Sequence, residues 1–171
     1  MLIDPEQLAI VHYPHDVLRQ KAEPITEVND EVKAVAAKMI DLMHQAPGVG
    51  LAAPQVGLAW RMFVANPTGE PDDDRVYINP ELSDPTGGKA ARDEGCLSLP
   101  DITVEVARPS GITIRATGLD GKAFEESADD LLARIWQHEN DHLDGVLIID
   151  NMSTMDRMAN KRAIRELEEA K

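Results

Sequence analysis

The chain has 171 residues and a single cysteine, enough for one domain with its own core and too few thiols for an internal disulfide. Its net charge of −14 argues against broad, non-specific nucleic-acid binding, which runs through Lys and Arg, and gives solubility as the plain meaning of the acidity. No apolar run approaches the roughly 18–20 residues of a membrane span, and the opening MLIDPEQLAI carries acids where a secretory signal carries bases, so a cytoplasmic protein without a membrane partner is the expectation.

In chain order, the first periodic segment runs from Asn29 or Asp30 to Gln45. Val32, Val35, Ala36, Met39, Ile40 and Met43 recur there at three- and four-residue steps, which predicts a helix capped by Asp30 and ended by Pro47-Gly48. A loop of small residues, GVGLAAPQVG, follows, and then a strand at RMFVAN. The segment NPTGEPDDDR (66–75) joins turn formers to three consecutive aspartates; it offers nothing to bury and is expected to be flexible.

VYINPEL, ITVEVA (102–107), GITIRAT and KAFEES read as strands, with GLDGK (118–122) as a tight turn. Ile102, Val104 and Val106 alternate against Thr103 and Glu105, the pattern of a half-buried strand. A second helix is expected to start at Ser127, with Asp130 completing a variant capping box, and to end near Leu143 before Gly145. GVLIID reads as a short apolar strand, and a serine begins a C-terminal helix over 153–171. Strands in a run predict an α+β fold, with mixed or antiparallel sheets packed around a central helix, as one domain over 1–171.

That central helix carries the chemistry. His138 and His142 lie one turn apart and continue the stripe begun by Leu131 and Ile135, so they are expected to face inward. Two hydrogen-bonded core histidines are the plain alternative, but with Glu139 the pair forms H-E-x-x-H, whose spacing suits two metal ligands and a base. A catalytic ion takes three protein ligands and keeps one open position. No histidine follows His142, and Glu166, Glu168 and Glu169 sit in a charged segment that reads as solvated, which leaves Cys96 as the third ligand candidate. Such a site lowers the pKa of a bound water toward about 7, and Glu139 would take up and return the proton. Gln55 and the backbone N–H of Leu97 are suitable donors for the oxyanion that hydroxide attack creates.

Three segments, GVGLAAPQ (48–55), EGCLS (94–98) and QHENDH (137–142), resemble the signature motifs of the peptide deformylases, in that family's order. HYPHDVLRQKAEPI and VARPSGITIRATGLDGK extend the resemblance over nearly the whole chain. The resemblance implies hydrolysis of the formyl group from N-formylmethionyl nascent peptides, with release of formate. It implies Cys96, His138 and His142 as metal ligands, Glu139 as general acid/base, and Gln55 with the Leu97 N–H at the oxyanion. It further implies Fe²⁺ as the working metal, with Zn²⁺, Ni²⁺ or Co²⁺ as substitutes.

By the same resemblance, Gly50 receives the substrate as an added strand, and Val49, Leu131 and Ile135 wall an apolar methionine pocket. Glu94 is expected to pair with Arg108 and brace the cysteine loop. Arg134 is expected to snorkel at the pocket rim, and Asn140 to change only outer-face packing. The terminal helix carries Arg157, Lys161, Arg162 and Arg165. That cluster is either a solvated mixed-charge face or, as in the family, a ribosome-docking element. Two other function classes fit parts of the sequence: a general HExxH endopeptidase, and a ribosome-binding module whose metal is structural.

Overall fold

The computed structural model describes residues 3–170; Met1, Leu2 and Lys171, at the ends of the predicted domain and C-terminal helix, lie outside the described residues. Helix α1 (Asp30–Gln45) buries Val32, Val35, Ala36, Met39 and Met43 along the predicted stripe. Its cap is Asn29, not Asp30: the Asn29 side chain accepts from the Val32 N–H at 3.0 Å, and Asp30 is already helical. Strands β1 (Gly50–Ala52), β2 (Met62–Ala65), β3 (Arg75–Cys96), β4 (Leu99–Thr117) and β5 (Ala123–Asp129) follow. They form one antiparallel sheet in sequence order.

ITVEVA and GITIRAT are thus halves of one strand, β4, which pairs with β3 along most of its length. Register shifts around Thr86 accommodate Pro109, which has no N–H to give to a ladder. The segment 66–75 is wired rather than loose. Asn66 is buried; its side-chain oxygen accepts from the Thr68 and Gly69 N–H groups, and its nitrogen donates to Glu70 O and Asp74 Oδ1.

Helix α2 (Asp130–Leu143) starts three residues later than expected. Ser127 is not its cap, because Ser127 belongs to β5, lies opposite Thr113 and places its hydroxyl 2.8 Å from Thr113 Oγ1. The chain turns from strand to helix abruptly at Asp130, whose φ of +53° is a left-handed conformation that aspartate tolerates. GVLIID is not a strand. Leu147, Ile148 and Ile149 are buried around a 3₁₀ turn (Ile148–Asn151), against Leu99, Ile102 and Val104. A short apolar run does not by itself distinguish these conformations. Helix α3 (Thr154–Glu169) starts as expected, with Ser153 Oγ accepting from the Asp156 N–H.

Helix α2 packs on the sheet through Ala133, Ile135, Trp136 and Leu143, which join Phe63, Ala65, Tyr77, Ile112 and Ile114 in one apolar cluster. This core fixes the helix that carries both histidines, and leaves its His138–Glu139 side beside β1 and the β3–β4 connection.

Candidate active site

A cavity of about 610 Å³ opens where β1, the β3–β4 connection and α2 meet. Its walls include Val49, Gly50, Gln55, Cys96, Leu97, Leu131, Ile135, His138 and Glu139. Of the predicted site residues, only His142 is absent from the lining, and it lies immediately behind, with Nε2 3.4 Å from Cys96 Sγ. Ile135 is buried, whereas Val49 and Leu131 are 46% and 48% exposed, so two of the predicted apolar walls stand at the open side. The inward stripe of α2 therefore begins at Ile135, not at Leu131.

One ligand atom from each of Cys96, His138 and His142 lies within 4.8 Å of the others. Donors around a single tetrahedral ion stand roughly 3–4 Å apart, so this set needs little movement to close on one. The orientation of His138 is determined from behind. Its Nδ1 lies 2.8 Å from Glu94 Oε1, so an ionised Glu94 accepts the Nδ1–H and leaves the Nε2 lone pair for the site. His142 Nδ1 and Glu139 Oε1 are buried without a hydrogen-bond partner among the described residues.

Electrostatics favour a cation here. Burial opposes a charge on His138, yet the Glu139 carboxylate, then Cys96 and Glu94, hold its pKa well above the ordinary histidine value. Burial, then the charge of His138, pushes His142 well below it. A site that draws a proton onto one imidazole and keeps the other neutral suits a metal ion in the proton's place. Burial also pushes the Glu139 carboxyl up to about 7.

The cysteine loop is held from two directions. Gln55, buried in a 3₁₀ turn (Ala53–Val56), accepts the Ala52 N–H at 2.9 Å through its oxygen. Its nitrogen is thereby turned toward Ser98 Oγ at 3.3 Å and Cys96 Sγ at 3.5 Å. From the other side, Arg108 donates to both oxygens of Glu94, at 2.7 and 2.9 Å, as the sequence suggested. Burial would raise the Glu94 carboxyl, but bonds from Arg108 and His138 and their charges hold it far below the usual carboxylate range.

Sequence reasoning missed three parts of this bracing. Arg134 is not a free rim residue: it donates to Glu94 Oε2, to Val106 O at 3.1 Å and to Ala90 O at 2.7 Å. Asp141 accepts from Arg108 at 2.9 Å, and Ser98 receives the Gln55 amide. Asn140 is half-buried rather than on an outer face, and its Oδ1 has no partner among the described residues. For Arg134 and Asp141 the only sequence signal was charge, which does not name a partner, and Ser98 offered no signal of its own.

A sequence model described as polypeptide deformylase matches residues 7–158. The chain belongs to the polypeptide deformylase family. Among curated relatives, a peptide deformylase of Acidobacterium capsulatum is 45% identical over 172 residues, which covers 99% of this chain and 98% of the relative. One from Rhodopirellula baltica is 45% identical over 147 residues, covering 85% and 73%. Among solved structures, a plant peptide deformylase 1B superimposes with a TM-score of 0.93 at 38% identity, covering 99% of this chain and 93% of that one. The Plasmodium falciparum enzyme gives 0.91 at 36%, covering 95% and 96%. A Synechococcus elongatus deformylase solved with actinonin gives 0.87 at 34%, covering 94% and 89%. The α+β fold and the enzyme class are those of this family.

Proposed function

We propose that this chain removes the formyl group from N-formylmethionyl nascent polypeptides and releases formate, acting as one catalytic domain in the cytoplasm. Deformylation of nascent peptides is the activity of its family; the residue roles are the proposal. The observation that carries it is the convergence of Cys96 and His138 in the wall of a single cavity, with His142 immediately behind them, beside Glu139, a buried carboxyl with one oxygen unpartnered among the described residues.

Cys96, His138 and His142 would hold a divalent cation, Fe²⁺ as the working metal, with Zn²⁺, Ni²⁺ or Co²⁺ as substitutes that the same thiolate–imidazole set accepts. When bound, the ion supplies Lewis acidity, polarising the formyl carbonyl and making water acidic enough to attack near neutral pH. Glu139 takes the proton of the attacking water and delivers it to the departing amide nitrogen. A carboxyl pushed up to about 7 is matched to both halves of that task. The Gln55 amide nitrogen and the Leu97 N–H bear on the carbonyl oxygen as charge develops there.

Gly50 begins β1, the edge strand of the sheet, and its backbone receives the peptide as an added strand. Val49, Leu131 and Ile135 surround the methionine side chain. The exposed Arg157, Lys161, Arg162 and Arg165 of α3 support docking on the ribosome, and unchanged ribosome co-sedimentation after removal of 154–171 would refute it.

The direct test is formate release from a formyl-Met peptide by anaerobically prepared, Fe²⁺-loaded protein, beside chelated protein and Glu139→Gln. Release that needs both metal and Glu139 supports the assignment. No release from the loaded wild type, or cleavage of internal peptide bonds instead, overturns it.

A further inference from the structure

Among the described residues no strand lies beside the outer edge of β4 over 99–108, because β5 pairs with β4 only over 111–117. An exposed edge of this kind leaves backbone groups without ladder partners. Here α3 supplies them with side chains. The Glu105 N–H donates to Asp156 Oδ2 at 2.9 Å, and Asn160 Nδ2 donates to Thr103 O at 2.8 Å and Asp156 O at 3.0 Å. Both Asn160 contacts are carbonyls, so the amide nitrogen must face them.

The spacing explains the fit. Four helical residues rise about 6 Å, and two strand residues advance roughly 6.6–6.8 Å. Asp156 and Asn160 therefore meet Glu105 and Thr103 in step, as a neighbouring strand would. Asn160 is also the one buried residue of α3, a position where an apolar side chain would serve plain packing.

We propose that Asn160 and Asp156 are positioning residues for peptide binding: they hold the outer edge of β4 and so fix the wall of the active-site cavity formed by Leu99–Thr103. That segment lines the cavity through all five of its residues. Thr103, whose carbonyl Asn160 takes, is the end of this wall.

Cys96 pairs with Leu99 at the start of this wall, but the segment that carries it has further anchors of its own. Ser98 O accepts the Tyr13 N–H at 2.9 Å, and Ser98 Oγ accepts the Gln55 amide. Loosening the clamp therefore moves the peptide-binding wall while the Cys96–Ser98 connection stays in place. The effect falls on KM and not on kcat.

The inference rests on the deformylase reading for its kinetic test, and amide hydrogen exchange tests the clamp without it. For the Fe²⁺-loaded full chain, Asn160→Asp and Asp156→Ala should each raise KM for a formyl-Met tripeptide about three- to tenfold, the equivalent of one net hydrogen bond, with kcat within about twofold. Asp156→Asn, which keeps an acceptor oxygen, should restore wild-type KM. Exchange at the amides of 101–105 should quicken in the first two variants only. If Asn160→Asp does not fold, the Asp156→Ala and Asp156→Asn pair decides. Unchanged KM, a loss in kcat alone, or Asp156→Asn as impaired as Asp156→Ala overturns the proposal. Should the wild type release no formate, the deformylase reading fails, and unaltered exchange at 101–105 would then overturn the clamp separately.

Discussion

Gly50 and Glu139 are in such close approach that a Cβ at position 50 would stand 2.7 Å from Glu139 Oε2. The glycine needs no left-handed backbone here; it needs the absence of a side chain. Gly50→Ala is expected to displace the Glu139 carboxyl and lower kcat/KM roughly 10²-fold, the order that a 1 Å misplacement can cost. Thermal unfolding run beside the kinetics separates this from misfolding. A fully active, well-folded Gly50→Ala would show that Glu139 does not act from this position.

Glu139→Gln preserves shape and removes the exchangeable proton. We expect kcat to fall by about 10²–10⁴ with metal content unchanged. Stability should respond in the opposite sense. A carboxyl raised to about 7 in the fold binds a proton more tightly than in the unfolded chain, so its ionisation destabilises the metal-free protein as pH rises from about 4.5 through 7. In the Gln variant that decline should vanish, as read from denaturant midpoints of metal-free protein at pH 5 and 8.

Glu94 has the reverse linkage. Its carboxyl is held down in the fold, chiefly by Arg108 and His138 acting against burial. The stabilisation is therefore present above the unfolded carboxyl value and is lost as pH falls below about 4.5. Glu94→Gln should flatten this acid limb of the stability profile while lowering stability at pH 7. Arg108→Met leaves Arg134 and His138 on Glu94, so its loss should be about 2–3 kcal/mol, under the roughly 3–5 of a wholly uncompensated buried charge. A urea titration at pH 7 measures it.

Chelation should abolish activity and lower Tm, because an ion that binds only the folded chain stabilises it by mass action. Adding Fe²⁺, Zn²⁺ or Ni²⁺ back should raise Tm with concentration. Cys96→Ala, His138→Ala and His142→Ala should each blunt that rise, and anaerobic metal analysis should show the loss directly. A variant of His142 that bound metal like the wild type would remove it from the ligand set, and with it the reason for its place behind the cavity.

Much of the site was legible because its key spacing is local. His138, Glu139 and His142 share one helix, where positions one turn apart face the same way whatever packs around them. The stripe of α1 and the serine cap of α3 were readable for the same reason. Where local preference met a non-local partner, the partner prevailed. Ser127 had the chemistry of a helix cap, but pairing with Thr113 holds it in β5. GVLIID had the composition of a strand, but a place beside Leu99 and Val104 folds it as a 3₁₀ turn.

By itself the sequence determined the three motifs and the inward-facing histidine pair, and it offered Glu139 as the candidate base and Cys96 as the candidate third donor. Only the tertiary structure decided how those donors meet and what holds them: Glu94 behind His138, Arg108 and Arg134 on Glu94, the Gln55 amide turned to the thiol, and the α3 side chains on the edge of β4. The division has a physical cause. Backbone periodicity places neighbours along one element, whereas hydrogen bonds and ion pairs between elements depend on distances that exist only once the sheet and α2 have packed.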